Sequence, residues 1–327
     1  MKACLYLEFL KFANGFFYHR AGTGFLTSFK NYLKALELNE VAVTQNLQDK
    51  FDVLHVNVPF LRSVLAIWRA KKRGIKTVAS AHATAEDLRG VLRVSSFLAP
   101  LARRYYRWAY NTADEIIAPT SYTKNLLINY GLSAKKIEVI SSGVDFSKFE
   151  VKQRNYQKKS EDLIIFNVAN VIPRKGIDSF IFLARKYPQN KFYWYGKIFK
   201  SILYKPIPRN LPENLEFKGY ASNILEVYSK GDIFVFPSYE ENQGLVILEA
   251  AASGLPILVR DMPVYEGWLI NEKNCLTAKN DEEFAKKLDR LIVDSKLREK
   301  MGQEAKRTAK EHDLKIIGQK LIEIYSN

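Results

Sequence analysis

Short apolar runs alternate along the chain with longer stretches in which apolar positions recur at helical spacing. In the first half, Ala3–Phe9, Val53–Val58, Lys76–Ser80, Glu115–Ala118 and Ile137–Ile140 predict buried strands, with helices such as Phe25–Leu38 and Val64–Arg73 between them. The pattern restarts at Leu163–Val168 and continues through Phe192–Tyr195, Leu215–Gly219, Ile233–Phe236 and Pro256–Val259. Strands separated by helices predict parallel sheets covered by helices, so the class is α/β. Two Rossmann-like halves result. The polar, charged stretch Phe149–Asp162 between them is expected to be an interdomain linker, which gives domains 1–154 and 155–327. From Glu282 the chain is charged and helical, a helical cap on the second domain.

Length and composition agree with this picture. The 327 residues suffice for two domains with their own cores, and 47% hydrophobic with 26% charged residues is the balance of a folded protein. No run approaches the roughly 18 apolar residues that would span a bilayer. The opening Met1–Leu10 is short, carries Glu8 and lacks a small-residue cleavage site, so it reads as a strand rather than a secretion signal. Cys4 and Cys275 are solitary, which argues against a disulfide framework or a zinc site, and the cytoplasm is the expected compartment.

Charge changes the picture. A net charge of +15 asks for an anionic partner, and the excess lies in the first half. No acidic residue falls between Asp52 and Glu86, while Arg62, Arg69, Lys71, Lys72, Arg73 and Lys76 do; the same holds between Asp87 and Asp114, with Arg89, Arg93, Arg103, Arg104 and Arg107. Trp68 sits among the first group, and Phe97, Leu98, Leu101, Tyr105, Tyr106 and Trp108 interleave with the second. Basic, aromatic, amphipathic segments of this kind lie on anionic leaflets, so Arg62–Lys76 and Leu92–Tyr110 are expected to face a membrane surface. Nucleic acid is the competing anion, but no recognised nucleic-acid motif accompanies the charge, and none is expected as partner.

The chemistry concentrates in Phe236–Ala250, where the strand Ile233–Phe236 ends, a loop follows, and a helix begins near Gln243-Gly244. Doubly wound sheets bind ligands at such carboxyl edges. A helix start there offers backbone N–H groups and a positive dipole end to a pyrophosphate or a sugar hydroxyl. Glu241 in the loop and Glu249 about two helical turns later aim two carboxylates at one site.

Glu241-x(7)-Glu249, with Gly244, Leu248-Glu249-Ala250 and Gly254-Leu255-Pro256, resembles the E-x(7)-E signature of glycosyltransferase family four, retaining enzymes of GT-B fold. The resemblance implies two Rossmann-like domains facing a deep cleft. It implies that Glu249 binds the donor ribose and Glu241 the transferred hexose, while the backbone of Gln243, Gly244 and Leu245 holds hexose hydroxyls and diphosphate. Ile172-Pro173-Arg174-Lys175-Gly176 resembles the family's basic loop, whose cations would neutralise the leaving diphosphate. Where the family usually has Gly-Arg after the strand, Ala169-Asn170 stands here, so Arg174 would take that arginine's place. Gly22 and Gly24 resemble its glycine loop, and His82 in Val78–Thr84 matches the histidine that faces the donor sugar.

No D-x-D triplet is present, and the family's front-face mechanism implies neither catalytic metal nor cofactor beyond the donor. The wording of Tyr239–Gly244 and Val259–Leu269 resembles bacterial enzymes that glycosylate diacylglycerol or glucosyl-diacylglycerol. That implies UDP-glucose or UDP-galactose as donor, a lipid acceptor, preferably the monoglucosyl lipid, and a peripheral position on the inner face of the cell membrane. A cell-envelope polysaccharide or other soluble sugar is the alternative acceptor.

Overall fold

The computed structural model describes residues 1–8, 24–86, 95–198, 207–208 and 210–326, with the side chains of 95–98 excepted. Two compact units appear. One takes in the chain up to Gly143 together with the C-terminal stretch from His312, and the other runs from Val144 to Glu311.

The first unit is a six-stranded parallel sheet of β1 (Lys2–Tyr6), β2 (Ala42–Thr44), β3 (Val53–Val56), β4 (Lys76–Ser80), β5 (Glu115–Ala118) and β6 (Ile137–Val139), in the order β2-β1-β3-β4-β5-β6. Helices α1 (Gly24–Glu37), α2 (Leu61–Lys72), α3 (Ser95–Asn111) and α4 (Ser121–Asn129) connect the strands. Successive side chains of a strand point to opposite faces, and here both faces are buried, which is why the strands read as continuous apolar runs. Cys4, Leu54, Val56, Ala79 and Ile116 pack with Ala66 and Ile67 of α2, Tyr110 of α3 and Leu127 of α4. Ala3, Leu5, Val53, Val78 and Ile117 pack on the other face with Phe29 and Leu36 of α1. Thr120 caps α4 by accepting from the Thr123 amide.

In the second unit α5 (Phe146–Phe149) precedes β7 (Ile164–Val168), α6 (Ile177–Lys186), β8 (Lys191–Tyr195), β9 (Leu215–Gly219), α7 (Ile224–Lys230), β10 (Ile233–Phe236), α8 (Leu245–Ala252), β11 (Ile257–Arg260) and β12 (Leu276–Ala278). Helices α9 (Asp281–Val293) and α10 (Ser295–Glu311) close it. The sheet is again six-stranded and parallel, in the order β12-β11-β10-β7-β8-β9. Its center pairs β10 with β7, so the loops leaving these two strands emerge side by side at the carboxyl edge.

Two features depart from the expectation of a boundary at 154/155. The stretch expected to be a linker is built into the second unit: Arg154 donates to the carbonyls of Ser253, Gly231 and Tyr228, Tyr156 to that of Gly254, and Arg298 to those of Tyr156 and Lys158. The last helix, α11 (Leu314–Ser326), belongs to the first unit, where Leu314, Ile317 and Leu321 join the core beside α1. There the buried His55 of β3 hydrogen-bonds Tyr325 through Nδ1 at 2.5 Å and Ser80 through Nε2 at 2.6 Å. The C-terminal cap is therefore divided: α9 and α10 cover the second unit and α11 the first.

Candidate active site

The loop after β7 forms a single 3-10 turn, Pro173–Lys175, that ends on Gly176 at φ 79°, in the left-handed region. A Cβ on Gly176 would lie 2.2 Å from the carbonyl oxygen of Pro237, so glycine alone lets this loop settle on the backbone leaving β10. The close approach brings the two loops into register. The Tyr239 amide donates to the Arg174 carbonyl at 2.8 Å, and Arg174 Nη1 donates to the Glu240 carbonyl at 2.6 Å.

Lys175 Nζ forms an ion pair with Glu241 Oε1, and Ser238 Oγ donates to the same oxygen at 2.7 Å. Both charged side chains are largely buried, 15% and 10% exposed. Burial pushes the Glu241 carboxyl up, but Lys175 and Arg174 beside it, with hydrogen bonds from Lys175 and Ser238, more than offset this and hold its pKa below the usual range. The Glu241 carboxyl thus stays ionised inside the protein at neutral pH.

Helix α8 starts four residues after Glu241. Gly244 caps it at φ 84° and ψ 64°, a left-handed conformation that turns the chain sharply into the helix. The first-turn amides of a helix have no acceptor within it, so the Gly244–Leu245 start presents N–H groups and a partial positive charge. Gln243 immediately before is buried. Leu248 and Ala252 face the core, and Leu245 is half-buried.

Glu249 lies on the same helix, half-buried, with Oε2 accepting from the Tyr228 hydroxyl at 2.7 Å. Burial pushes its pKa up to about 7, against the pull of the Tyr228 hydrogen bond and of Lys148. The two glutamates of the spaced pair are therefore electrostatically unlike, one fixed as an anion and one poised near neutrality.

His82 follows β4 in the first unit. Burial drives its imidazole down to about 3, so it is neutral at physiological pH. Its ring centroid is 5.6 Å from that of Tyr32. Gly24 opens α1, with nothing within 4 Å of a Cβ placed there, whereas Gly22 lies outside the described residues. Sequence spacing missed two partners. Ser238 stood inside the motif without a role, and Tyr228 gave no signal, because its link to Glu249 spans 21 residues and two helices.

The basic segments of the first unit form a surface. Along α2, Leu61, Leu65 and Trp68 are 67%, 43% and 55% exposed, and Lys72 Nζ stands 3.6 Å over the Trp68 ring. These residues recur at spacings that share one helix face, while Ser63, Val64, Ala66, Ile67 and Ala70 face inward. On the neighbouring α3, Leu101 and Trp108 are exposed, with Arg104 and Arg107. Tyr105 of α3 donates to the Pro59 carbonyl just before α2, and Lys71 of α2 pairs with Asp114 just after α3. The two helices thus lie together on one face of the sheet. Arg89 and Arg93 lie outside the described residues, and side chains of the second segment are described from Ala99. Among the described residues no helix is long and apolar enough to cross a membrane, and no group of three or more His, Cys, Asp or Glu is arranged to hold a metal.

Comparison with known proteins decides the family. The family model described as Glycosyltransferase Family 4 matches residues 11–148, and that described as Glycosyl transferases group 1 matches residues 148–308. A processive diacylglycerol alpha-glucosyltransferase of Acholeplasma laidlawii is 30% identical over 283 residues, 83% of this chain and 84% of the relative. This protein belongs to glycosyltransferase family four. An alpha-galactosylglucosyldiacylglycerol synthase of Streptococcus pneumoniae is 28% identical over 89% of this glycosyltransferase and 82% of its own length. Among solved structures, Anabaena Alr3699/HepE in complex with UDP and glucose aligns over the whole of both chains with a TM-score of 0.73 at 15% identity, a likeness of fold. The two six-stranded parallel sheets are those of the GT-B fold, with two Rossmann-like domains.

Proposed function

We propose that this family-four enzyme moves a hexose, glucose or galactose, from a UDP-sugar to a membrane glycolipid, monoglucosyl-diacylglycerol or diacylglycerol, with retention of configuration and without a catalytic metal. The observation that carries the reading is the buried Lys175–Glu241 pair set beside the α8 start, at the carboxyl edge of a doubly wound sheet. The similar proteins that act on diacylglycerol and its glycosides, and the Anabaena protein of the same fold in complex with UDP-glucose, support the acceptor and donor classes.

In this reading Glu249 accepts the ribose hydroxyls, and the amides at Gln243, Gly244 and Leu245 hold the diphosphate and hexose. The bond from the sugar's anomeric carbon to the diphosphate oxygen breaks, and the departing UDP keeps the electron pair. The acceptor oxygen bonds to the same face of the sugar and passes its proton to a phosphate oxygen. Lys175 and Arg174 stabilise the charge that grows on the diphosphate, and Glu241 fixes Lys175 while contacting the hexose. Neutral His82 contributes a hydrogen bond toward the sugar. With UDP-glucose or UDP-galactose offered against diacylglycerol and glucosyl-diacylglycerol in mixed micelles, a lipid-soluble glycosylated product is expected. Transfer only to soluble sugars would refute the lipid assignment.

The α2–α3 surface would bring the enzyme to its acceptor, with Leu61, Leu65, Trp68, Leu101 and Trp108 entering the interface and the surrounding cations meeting anionic headgroups. Flotation with anionic vesicles is expected to recover the protein and with zwitterionic vesicles to leave it in solution. The exposed pair Leu65→Ser and Trp68→Ser should reduce recovery several-fold without lowering the melting temperature, and unchanged recovery would remove α2 from the docking surface.

A further inference from the structure

Tyr228 stands outside every motif noted in the sequence, yet its place is tightly determined. It is fully buried, and its ring packs edge-on against Phe149 and Phe166, with centroids 5.6 and 5.8 Å away, and tilted against Phe234 at 6.1 Å. Below the ring, the backbone is pinned by Arg154, whose guanidinium and Nε reach the carbonyls of Tyr228, Gly231 and Ser253. These carbonyls lie at the C-terminal ends of α7 and α8, so one half-buried cation ties both helices. The ring is packed on several sides, and its hydroxyl lies 2.7 Å from Glu249 Oε2 and 3.3 Å from the Val246 carbonyl.

We propose that Tyr228 is a positioning residue of the donor site, its hydroxyl fixing the Glu249 carboxylate in the orientation and charge state that a ribose diol requires. The inference rests on the proposed role of Glu249 as ribose ligand. Glutamate has three rotatable side-chain bonds, and a diol binds well only to a carboxylate already set in one rotamer. Tyr228 leaves the other oxygen, Oε1, for the ligand. It acts on charge as well as direction. Burial and the neighbouring carboxylate raise the Tyr228 pKa well above its ordinary value, so it is always the proton donor, and donation favours the ionised form of Glu249. Among the described residues the other charged group acting on Glu249 is Lys148 of α5, which acts in the same sense.

The test is Tyr228→Phe, which keeps the ring and its aromatic neighbours and removes only the oxygen. UDP binding is measured by calorimetry from about pH 6 to about pH 8.5, beside wild type and Glu249→Gln, so that titration of the ligand itself cancels. UDP affinity of Tyr228→Phe is expected to fall about threefold to tenfold at neutral pH. The deficit should narrow toward alkaline pH, where Glu249 ionises without help. An affinity equal to wild type at every pH would overturn the positioning role, and a deficit of the same size at every pH would overturn the effect of Tyr228 on the charge of Glu249. If Glu249→Gln binds UDP as tightly as wild type, the ribose assignment itself fails, whereas a weak Glu249→Gln with an unaffected Tyr228→Phe defeats only the inference about Tyr228.

Discussion

Lys175→Met is expected to lower kcat by a factor on the order of 10²–10³, the usual loss when one preorganised group is removed from a developing oxyanion. The ammonium is held in place before any donor binds, because Glu241 grips it and the glycine at 176 seats its loop against Pro237. In the proposed role it would stabilise charge without first having to be desolvated or turned. The substitution also leaves Glu241 buried without its main counter-charge, and breaking one partner of such a pair costs about 3–5 kcal/mol. The pH dependence separates the two effects. Glu241 has a folded pKa below its unfolded value, so its stabilising contribution is complete above the ordinary carboxylate range and is lost as pH falls through the folded value. The stability gap between wild type and Lys175→Met should be widest at neutral pH and narrow on acidification, as followed by urea denaturation. Adding Glu241→Gln to Lys175→Met should restore much of the stability and none of the turnover. A double variant that regained activity would show that Lys175 serves the fold and not the reaction.

The strands at the centers of both sheets were legible because each is buried on two faces and reads as an unbroken apolar run. β2 and β12 were not legible. Each has three residues at a sheet edge, too short for a period to emerge. The expected linker Phe149–Asp162 shows how composition misleads: Arg154 and Lys158 look solvated, but one is consumed by three backbone carbonyls and the other pairs with the buried Asp232. Likewise the amphipathic pattern of α11 announces a helix without naming its partner, which lies at the opposite end of the chain in α1. At the candidate site the spaced glutamates, the helix start and the basic loop could be read locally. The Lys175–Glu241 and Tyr228–Glu249 pairs could not, because they join residues 66 and 21 positions apart through the sheet order and helix packing.

Glu249→Gln is expected to weaken UDP binding tenfold to a hundredfold while making the empty protein more stable above neutral pH. The loss follows from exchanging a carboxylate that accepts charge-assisted hydrogen bonds for an amide, about 1.5–3 kcal/mol. The gain follows from the folded pKa of about 7, raised from an ordinary value of 4.5 by burial. Between those two values the folded chain holds a proton at this site that the unfolded chain has released, so stability falls as pH rises through the window and the penalty is complete above it. A neutral amide carries no such penalty. Allowing for partial exposure of the side chain, the variant should gain on the order of 2 kcal/mol near pH 8 and almost nothing near pH 4. Calorimetry of UDP binding and melting curves across this range check both halves. Equal stability differences at the two pH values would contradict the electrostatic account, and unchanged UDP affinity would remove Glu249 from the donor site. The two outcomes together identify a residue kept for ligand at the expense of fold: the carboxylate is unfavourable where it sits until a diol arrives to share its charge, which is the trade expected of a binding group rather than of a structural one.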